Sequence, residues 1–230
     1  MRIVLGVDPG LGDLGWCAVE LLEEPVRRPG DLFADGLVRE RLIDFGTVST
    51  RPAPKGKAKK SDDNLRRIHE QAVALIQIAN RWPKLVAICA EAQSWPHVPE
   101  VHNPGDLERA RGAMFGVLGA STMIAMSWGV IGTLSALLDV PVVQVAPQTM
   151  RRRLLGAGRG DKTALERALI ARYGEAMLAP VLAIAKSRRE HITDSLAAVV
   201  ACLEEDVLRA VRRTLEAHAT AASYGDIDFG

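Results

Sequence analysis

The sequence predicts a single α/β domain built on a mixed sheet, and three observations carry that prediction. The elements read from the pattern run strand, strand, strand, helix, strand, helix, strand and then helices. The chain of 230 residues is 48% hydrophobic and 25% charged, ordinary for one globular domain. Its first apolar run ends in an acid and is broken at once by Pro-Gly, as when a buried strand opens onto a site.

That run is Ile3, Val4, Leu5 and Val7, ending at Asp8 and followed by Pro9 and Gly10. Gly12 and Gly15 keep the turn open, and residues 16–19 return as a second strand. An acid here either begins a turn or faces a metal ion or phosphate. Residues 21–41, with Pro25, Pro29-Gly30 and Gly36, read as a long connection or insertion, and 41–50 alternate as a third strand. Residues 51–60 are rich in Pro, Gly and Lys and read as a mobile basic loop. From Arg51 through Arg67 there are seven Lys/Arg against two acids, so Lys57, Lys59 and Lys60 are candidate DNA-phosphate contacts as well as solvated charges.

Ser61 is placed to cap a helix over 62–81, whose apolar stripe is Leu65, Ile68, Ala72, Ile76 and Ala79. Residues 85–92 form a buried strand carrying Glu91 near its end. The loop 93–106 holds Trp95, His97 and His102 between prolines, and histidines in such a loop are expected to be exposed. A long helix follows over 106–138, with candidate breaks at Gly129 and Gly132. Its Gly112, Gly116 and Gly119 form a small face that permits close approach to the sheet or to a second subunit.

Residues 141–146 are the fifth strand, and Pro147 opens a short helix that runs through Arg151, Arg152 and Arg153 to Leu155. Asp161 caps a helix to Tyr173 after the glycine loop 156–160. Arg151, Arg152, Arg153, Arg159 and Lys162 therefore surround a loop at a helix start, a favourable phosphate site. A lesser helix covers 176–186. A final long one covers 191–217, with Ile192, Leu196, Val199, Val200 and Leu203 as its buried stripe. The domain is expected to span 1–219, with a flexible tail over 220–230.

Composition excludes several classes. The net charge of +1 rules out a polycation, so any nucleic-acid surface is local. Cys17, Cys89 and Cys202 lie far apart in apolar runs, the setting of buried free thiols. The N-terminus lacks a signal-peptide layout, so a cytoplasmic location is expected. Residues 112–138 carry no charge and are long enough to span a bilayer. Five glycines and five Ser/Thr dilute that stretch, and a crossing would part Asp8 from the C-terminal half. A helix buried against a sheet is preferred, with no membrane partner.

Three acids are oddly placed for structural residues. Asp8 and Glu91 each end a buried strand, and Asp194 opens an apolar helix among Ser195, Ala197 and Ala198. His191 lies three residues before Asp194, on the same helical face. Convergent carboxylates repel unless a cation joins them, and hard oxygen ligands suit Mg²⁺ or Mn²⁺. Two such ions about 4 Å apart are a standard device for phosphodiester displacement. Asp8 is best placed to bridge them. Asp8, Glu91, Asp194 and His191 are thus the candidate catalytic and metal-ligating set, His191 also being able to position or deprotonate water.

With these motifs in order, the chain resembles the RuvC family of Holliday-junction resolvases within the RNase H-like superfamily. Gly6-Val-Asp8-Pro-Gly10 is similar to the family's first acidic strand, and Ala90-Glu91 to its second acid. Arg111-Gly112 resembles the pair opening the long helix. Pro147, Gly156-Ala-Gly158 and Lys162 resemble the Pro…Gly-x-Gly…Lys segment, and His191-Ile-Thr-Asp194 the closing acidic motif. The resemblance implies a RuvC-like five-stranded mixed sheet flanked by helices, a homodimer, and two Mg²⁺ ions per site with Mn²⁺ as a substitute. It also implies paired nicking of four-way junctions and other branched DNA. One active site cuts one strand, so resolving a junction takes two symmetric cuts.

Arg151 stands where the family commonly has Lys. The loop after Glu91 has no Lys or Arg from 93 to 107, leaving Trp95 either to stack at a branch point or to cover the core. These departures bear on junction selectivity and leave room for a phage or mobile-element type member. Two other classes share features of this pattern. An actin- or sugar-kinase-like phosphotransferase also carries a Gly-x-Asp-x-Gly turn, but needs a second copy that this sequence lacks. A non-catalytic branched-DNA-binding protein would show a lost acid, and none is lost.

Overall fold

The structure, a computed structural model, describes residues 1–27, 37–92 and 104–225, with side chains described outside 24–27, 37–38, 104–120 and 216–225. Five strands form one sheet: β1 (Arg2–Asp8), β2 (Asp13–Arg27), β3 (Leu37–Ser49), β4 (Leu85–Glu91) and β5 (Val142–Val145). Their spatial order is β3-β2-β1-β4-β5. The first three strands are antiparallel neighbours, while β1–β4 and β4–β5 pair in parallel. β1 is thus central, and strict alternation on it feeds two cores. Ile3, Leu5 and Val7 face one layer of helices, and Val4 faces the other. All four are fully buried, each contributing about 1.5–3 kcal/mol over its exposed form.

One face is covered by α1 (Lys60–Ala79) and α2 (Pro104–Leu138), through Leu75, Ile78, Val130, Ile131 and Leu134. The other is covered by α6 (Lys186–Cys202), with α3 (Pro147–Leu155), α4 (Lys162–Tyr173), α5 (Glu175–Leu182) and α7 (Asp206–Gly225) packed around it. Cys17, Cys89 and Cys202 are buried free thiols, as expected.

Several elements differ from the sequence expectation. Most of 21–41 is strand: β2 and β3 continue as hairpin arms, with Leu21 opposite Glu40 and Val26 opposite Val38. The cross-strand ladder keeps these arms extended despite Pro25. Helix α1 begins at Lys60, so Ser61 lies in its first turn and bonds Asp62 instead of capping. Its buried face is Asp63, Arg67, Gln71, Leu75 and Ile78, and Leu65 is exposed. The N-terminal half of that face is polar because it meets backbone carbonyls. Helix α2 is continuous through Gly129 and Gly132.

The predicted helix over 191–217 is two helices. The buried stripe runs through Val199 and Leu203 and resumes at Leu208, a step of five that one helix cannot keep on one face. Arg153 on α3 donates to the Ala201 carbonyl at 2.7 Å, satisfying the last turn of α6. Helix α7 extends to Gly225 through residues expected as tail. By length and composition Ser121–Leu138 could cross a membrane; in the fold 22% of it is buried, through Ser127, Val130, Ile131 and Leu134, so the helix is less covered than expected.

Candidate active site

β1 and β4 run side by side in parallel, with Val7 opposite Ala90. Their carboxyl ends therefore bring Asp8 and Glu91 to the same edge of the sheet, where open α/β sheets bind ligands. Helix α6 crosses that edge and adds His191 and Asp194 from one face. It begins at Lys186, so both lie mid-helix and not in a first turn. The close approach needs glycine on the strands below. A Cβ on Gly15 would lie 2.2 Å from the His191 carbonyl oxygen, and one on Gly6 would lie 2.6 Å from that of Ser195. Backbone contact thus fixes α6 on either side of Asp194.

Asp8, Glu91, His191 and Asp194 line one cavity of about 330 Å³, together with Arg151 and Lys162. His191 Nδ1 lies 2.7 Å from Asp8 Oδ2, an ion pair when the ring is protonated. Lys162 Nζ lies 3.2 Å from Asp194 Oδ2 and 3.1 Å from Glu190 Oε2. Burial, then repulsion from Asp194 and Asp8, pushes the Glu91 carboxyl up to about 7, against the pull of Arg151 and Lys162. Burial and the Asp8 charge also raise Asp194. The hydrogen bond to Asp8 raises His191 despite burial. Burial opposes the Lys162 ammonium, but Asp194 and Glu190 outweigh it and hold its pKa up.

The donors that converge on this cavity are hard oxygens with one imidazole. That chemistry fits Mg²⁺ or Mn²⁺. Among the described residues no three such side chains are already gathered closely enough to hold an ion. His191 on Asp8 and Lys162 on Asp194 each engage a carboxylate oxygen that a cation would otherwise take.

The basic candidates separate. Arg151 lines the acidic cavity, and Arg152 borders an adjoining one of about 410 Å³ with Gln148 and Thr149. Arg159 is exposed, as are Lys57, Lys59 and Lys60. Lys162 stands inside the acidic site instead of out on the glycine loop. Arg153 is held by Glu204 at 3.3 Å and Glu205 at 2.6 Å, a structural tie between α3 and the α6–α7 turn. Asp161 caps α4 by accepting from the Ala164 amide at 2.7 Å, as expected. Trp95, His97 and His102 lie outside the described residues, as does the side chain of Arg111. Glu190, Arg67 and Gln71 were not among the expected site residues. The signal for the last two was a polar i, i+4 row, Asp63-Arg67-Gln71, in line with buried Leu75.

No family model and no curated protein matches the chain. Solved structures do. Thermus thermophilus RuvC is 20% identical with a TM-score of 0.55, covering 87% of this chain and 92% of that one. T. thermophilus RuvC in complex with Holliday junction substrate is 18% identical with a TM-score of 0.57, covering 94% and 98%. The yeast mitochondrial Holliday junction resolvase Ydc2 is 10% identical with a TM-score of 0.52, covering 94% and 86%. At such identities the likeness is one of architecture. The chain has the RuvC-like fold, a mixed five-stranded sheet flanked by helices.

Proposed function

We propose that this chain is a metal-dependent, structure-selective endodeoxyribonuclease that nicks branched DNA, with the four-way junction as its main substrate. The observation that carries this is the convergence of Asp8, Glu91, His191 and Asp194 in one cavity of a fold otherwise seen in Holliday junction resolvases. Asp8, Glu91 and Asp194 would hold two Mg²⁺ ions, or Mn²⁺ in their place, with His191 alongside. Such ions supply an activated water and stabilise the leaving oxygen of an in-line displacement.

The chain's own groups do the rest. Asp8 orients the His191 ring through Nδ1, which leaves Nε2 to position or accept a proton from water. Lys162 and Arg151 bring positive charge to the cavity, favouring an incoming phosphate. Arg152, Arg159 and the lysines of 51–60 extend that charge outward as backbone contacts. A homodimer would supply the two cuts a junction needs. The outer flank of α2 supports this, since it leaves Leu137 65% exposed in a stretch, 112–138, that carries no charge. The proposed setting is the cytoplasm.

The test is cleavage of matched labelled substrates: a four-way junction, a replication fork, a flap and a linear duplex. Each is run with Mg²⁺, Mn²⁺ or EDTA, beside Asp8→Asn. Metal-dependent paired nicks on the junction, absent from Asp8→Asn, are expected. Full-rate cutting by Asp8→Asn would falsify the mechanism. Junction binding without cutting in either metal would leave a binding protein on this fold.

A further inference from the structure

The turn joining β1 to β2 follows Asp8 directly, and its carbonyls point inward. Gln71 Nε2 on α1 donates to the Gly10 carbonyl at 2.6 Å and to that of Leu11 at 3.2 Å. Arg67 Nη2 donates to the Leu11 carbonyl at 3.0 Å, and the Thr50 hydroxyl donates to it as well. Arg67 Nε reaches the Thr50 hydroxyl at 3.0 Å, and the Thr50 amide donates to the Gly12 carbonyl at 2.8 Å. On the far side, Ser127 of α2 donates to Gln71 Oε1 at 3.2 Å. That bond sets the amide so that Nε2 faces the turn.

This network is buried: Arg67 is 6% exposed, and Gln71 and Ser127 are 0% exposed. A buried guanidinium is costly unless partnered. The acid beside Arg67, Asp63, bonds Arg66 instead at 2.7 Å. The hydrogen-bond partners of Arg67 are carbonyls and a hydroxyl, with the Asp63 charge close enough to be stabilised by it. One turn further along α1 the same face is apolar, through Leu75 and Ile78. Apolar side chains at 67 and 71 would continue that stripe but leave the Gly10 and Leu11 carbonyls without these donors. The polar residues therefore act on the turn specifically.

The geometry points to Arg67 and Gln71 as positioning residues of the reaction, with Ser127 orienting Gln71. Together they fix the 9–12 turn, and so the direction in which Asp8 presents its carboxylate to His191 and to a cation. The inference rests on the proposed role of Asp8. Changing groups that orient a metal ligand from behind typically costs about 10–100-fold in metal affinity or activity.

The experiment compares wild type, Gln71→Met, Arg67→Lys and Asp8→Asn as full chains. It reads melting temperature, junction binding in EDTA, cleavage against Mg²⁺ concentration, and the rise in melting temperature that Mn²⁺ causes without DNA. Gln71→Met should bind the junction as wild type does, yet need about 10–100-fold more Mg²⁺ for half-maximal cleavage. Its stabilisation by Mn²⁺ should shrink, excess metal should restore the rate, and Arg67→Lys should fall between it and wild type. A lower melting temperature with unmoved half-saturation would assign the network to the fold alone and overturn the inference. If Gln71→Met does not fold, Ser127→Ala removes the orienting bond, together with a longer 3.4 Å bond to the Met123 carbonyl within α2, and should shift half-saturation in the same direction, and no shift overturns the inference. Full-rate cleavage by Asp8→Asn would sink the function proposal and this inference together. An inactive Asp8→Asn beside an unmoved Gln71→Met sinks the inference alone.

Discussion

Glu91 is the acid of the site whose charge the fold disfavours most plainly. Burial and two neighbouring acids disfavour its charge and push its carboxyl up to about 7. An acid raised in the fold contributes stability in full below its ordinary value of 4.5, and that stability is lost as pH climbs through the raised one. Metal-free protein should therefore lose roughly 1–3 kcal/mol between about pH 4.5 and 7 from this group, after discounting for partial exposure. Glu91→Gln carries no such charge. Its melting temperature should exceed that of wild type at neutral pH, with the gap closing towards pH 4.5. A gap independent of pH would place the destabilisation elsewhere. Asp8 and Glu91 were legible from strand ends. The bonds to His191 and Lys162 were not, because they join residues distant in sequence.

Among the elements, α3 and the loop after it divide their arginines between two tasks. Arg153 faces inward and joins α3 to the α6–α7 turn through Glu204, Glu205 and the Ala201 carbonyl. Arg152 and Arg159 face solvent. Changing Arg152 and Arg159 to Ala should weaken junction binding and flatten its dependence on salt, by about one to two phosphate contacts. Arg153→Ala should leave that slope unchanged and lower the melting temperature, with a cost of about 1–3 kcal/mol for the uncapped carbonyl and unpaired acids. Affinity titrations at several salt concentrations, with thermal melts, separate the two. The run of three arginines was plain in the sequence. Which one turns inward depends on where the turn after α6 lies, and a 3.6-residue stripe alone did not reveal that break.

At the scale of the whole molecule, α2 faces the sheet on one side only. Val130, Ile131 and Leu134 are buried, while Leu137 is 65% exposed. A second copy lying against that flank would form the proposed homodimer. Light scattering after size exclusion should give twice the mass of 24.9 kDa, and Leu137→Asp should shift the protein towards monomer at equal concentration. A dimer mass unmoved by Leu137→Asp would put the interface elsewhere. The monomeric variant should nick a junction without pairing its cuts.

The sequence by itself determined the α/β class, the five strands, the two strand-end acids, the Asp161 cap and the buried thiols, because each rests on local periodicity or turn chemistry. Only the tertiary structure decided which residues meet. Glycines at positions 6 and 15 read locally as strand and turn residues, but in the fold they admit the backbone of α6 against the sheet. Arg67 and Gln71 lie off the apolar stripe expected for 62–81, yet they are buried because the turn after Asp8 presents carbonyls to them. Periodicity reports which side of an element is apolar. It carries no information about an unpaired backbone group that arrives from some sixty residues away, and those groups decide where buried polar side chains go.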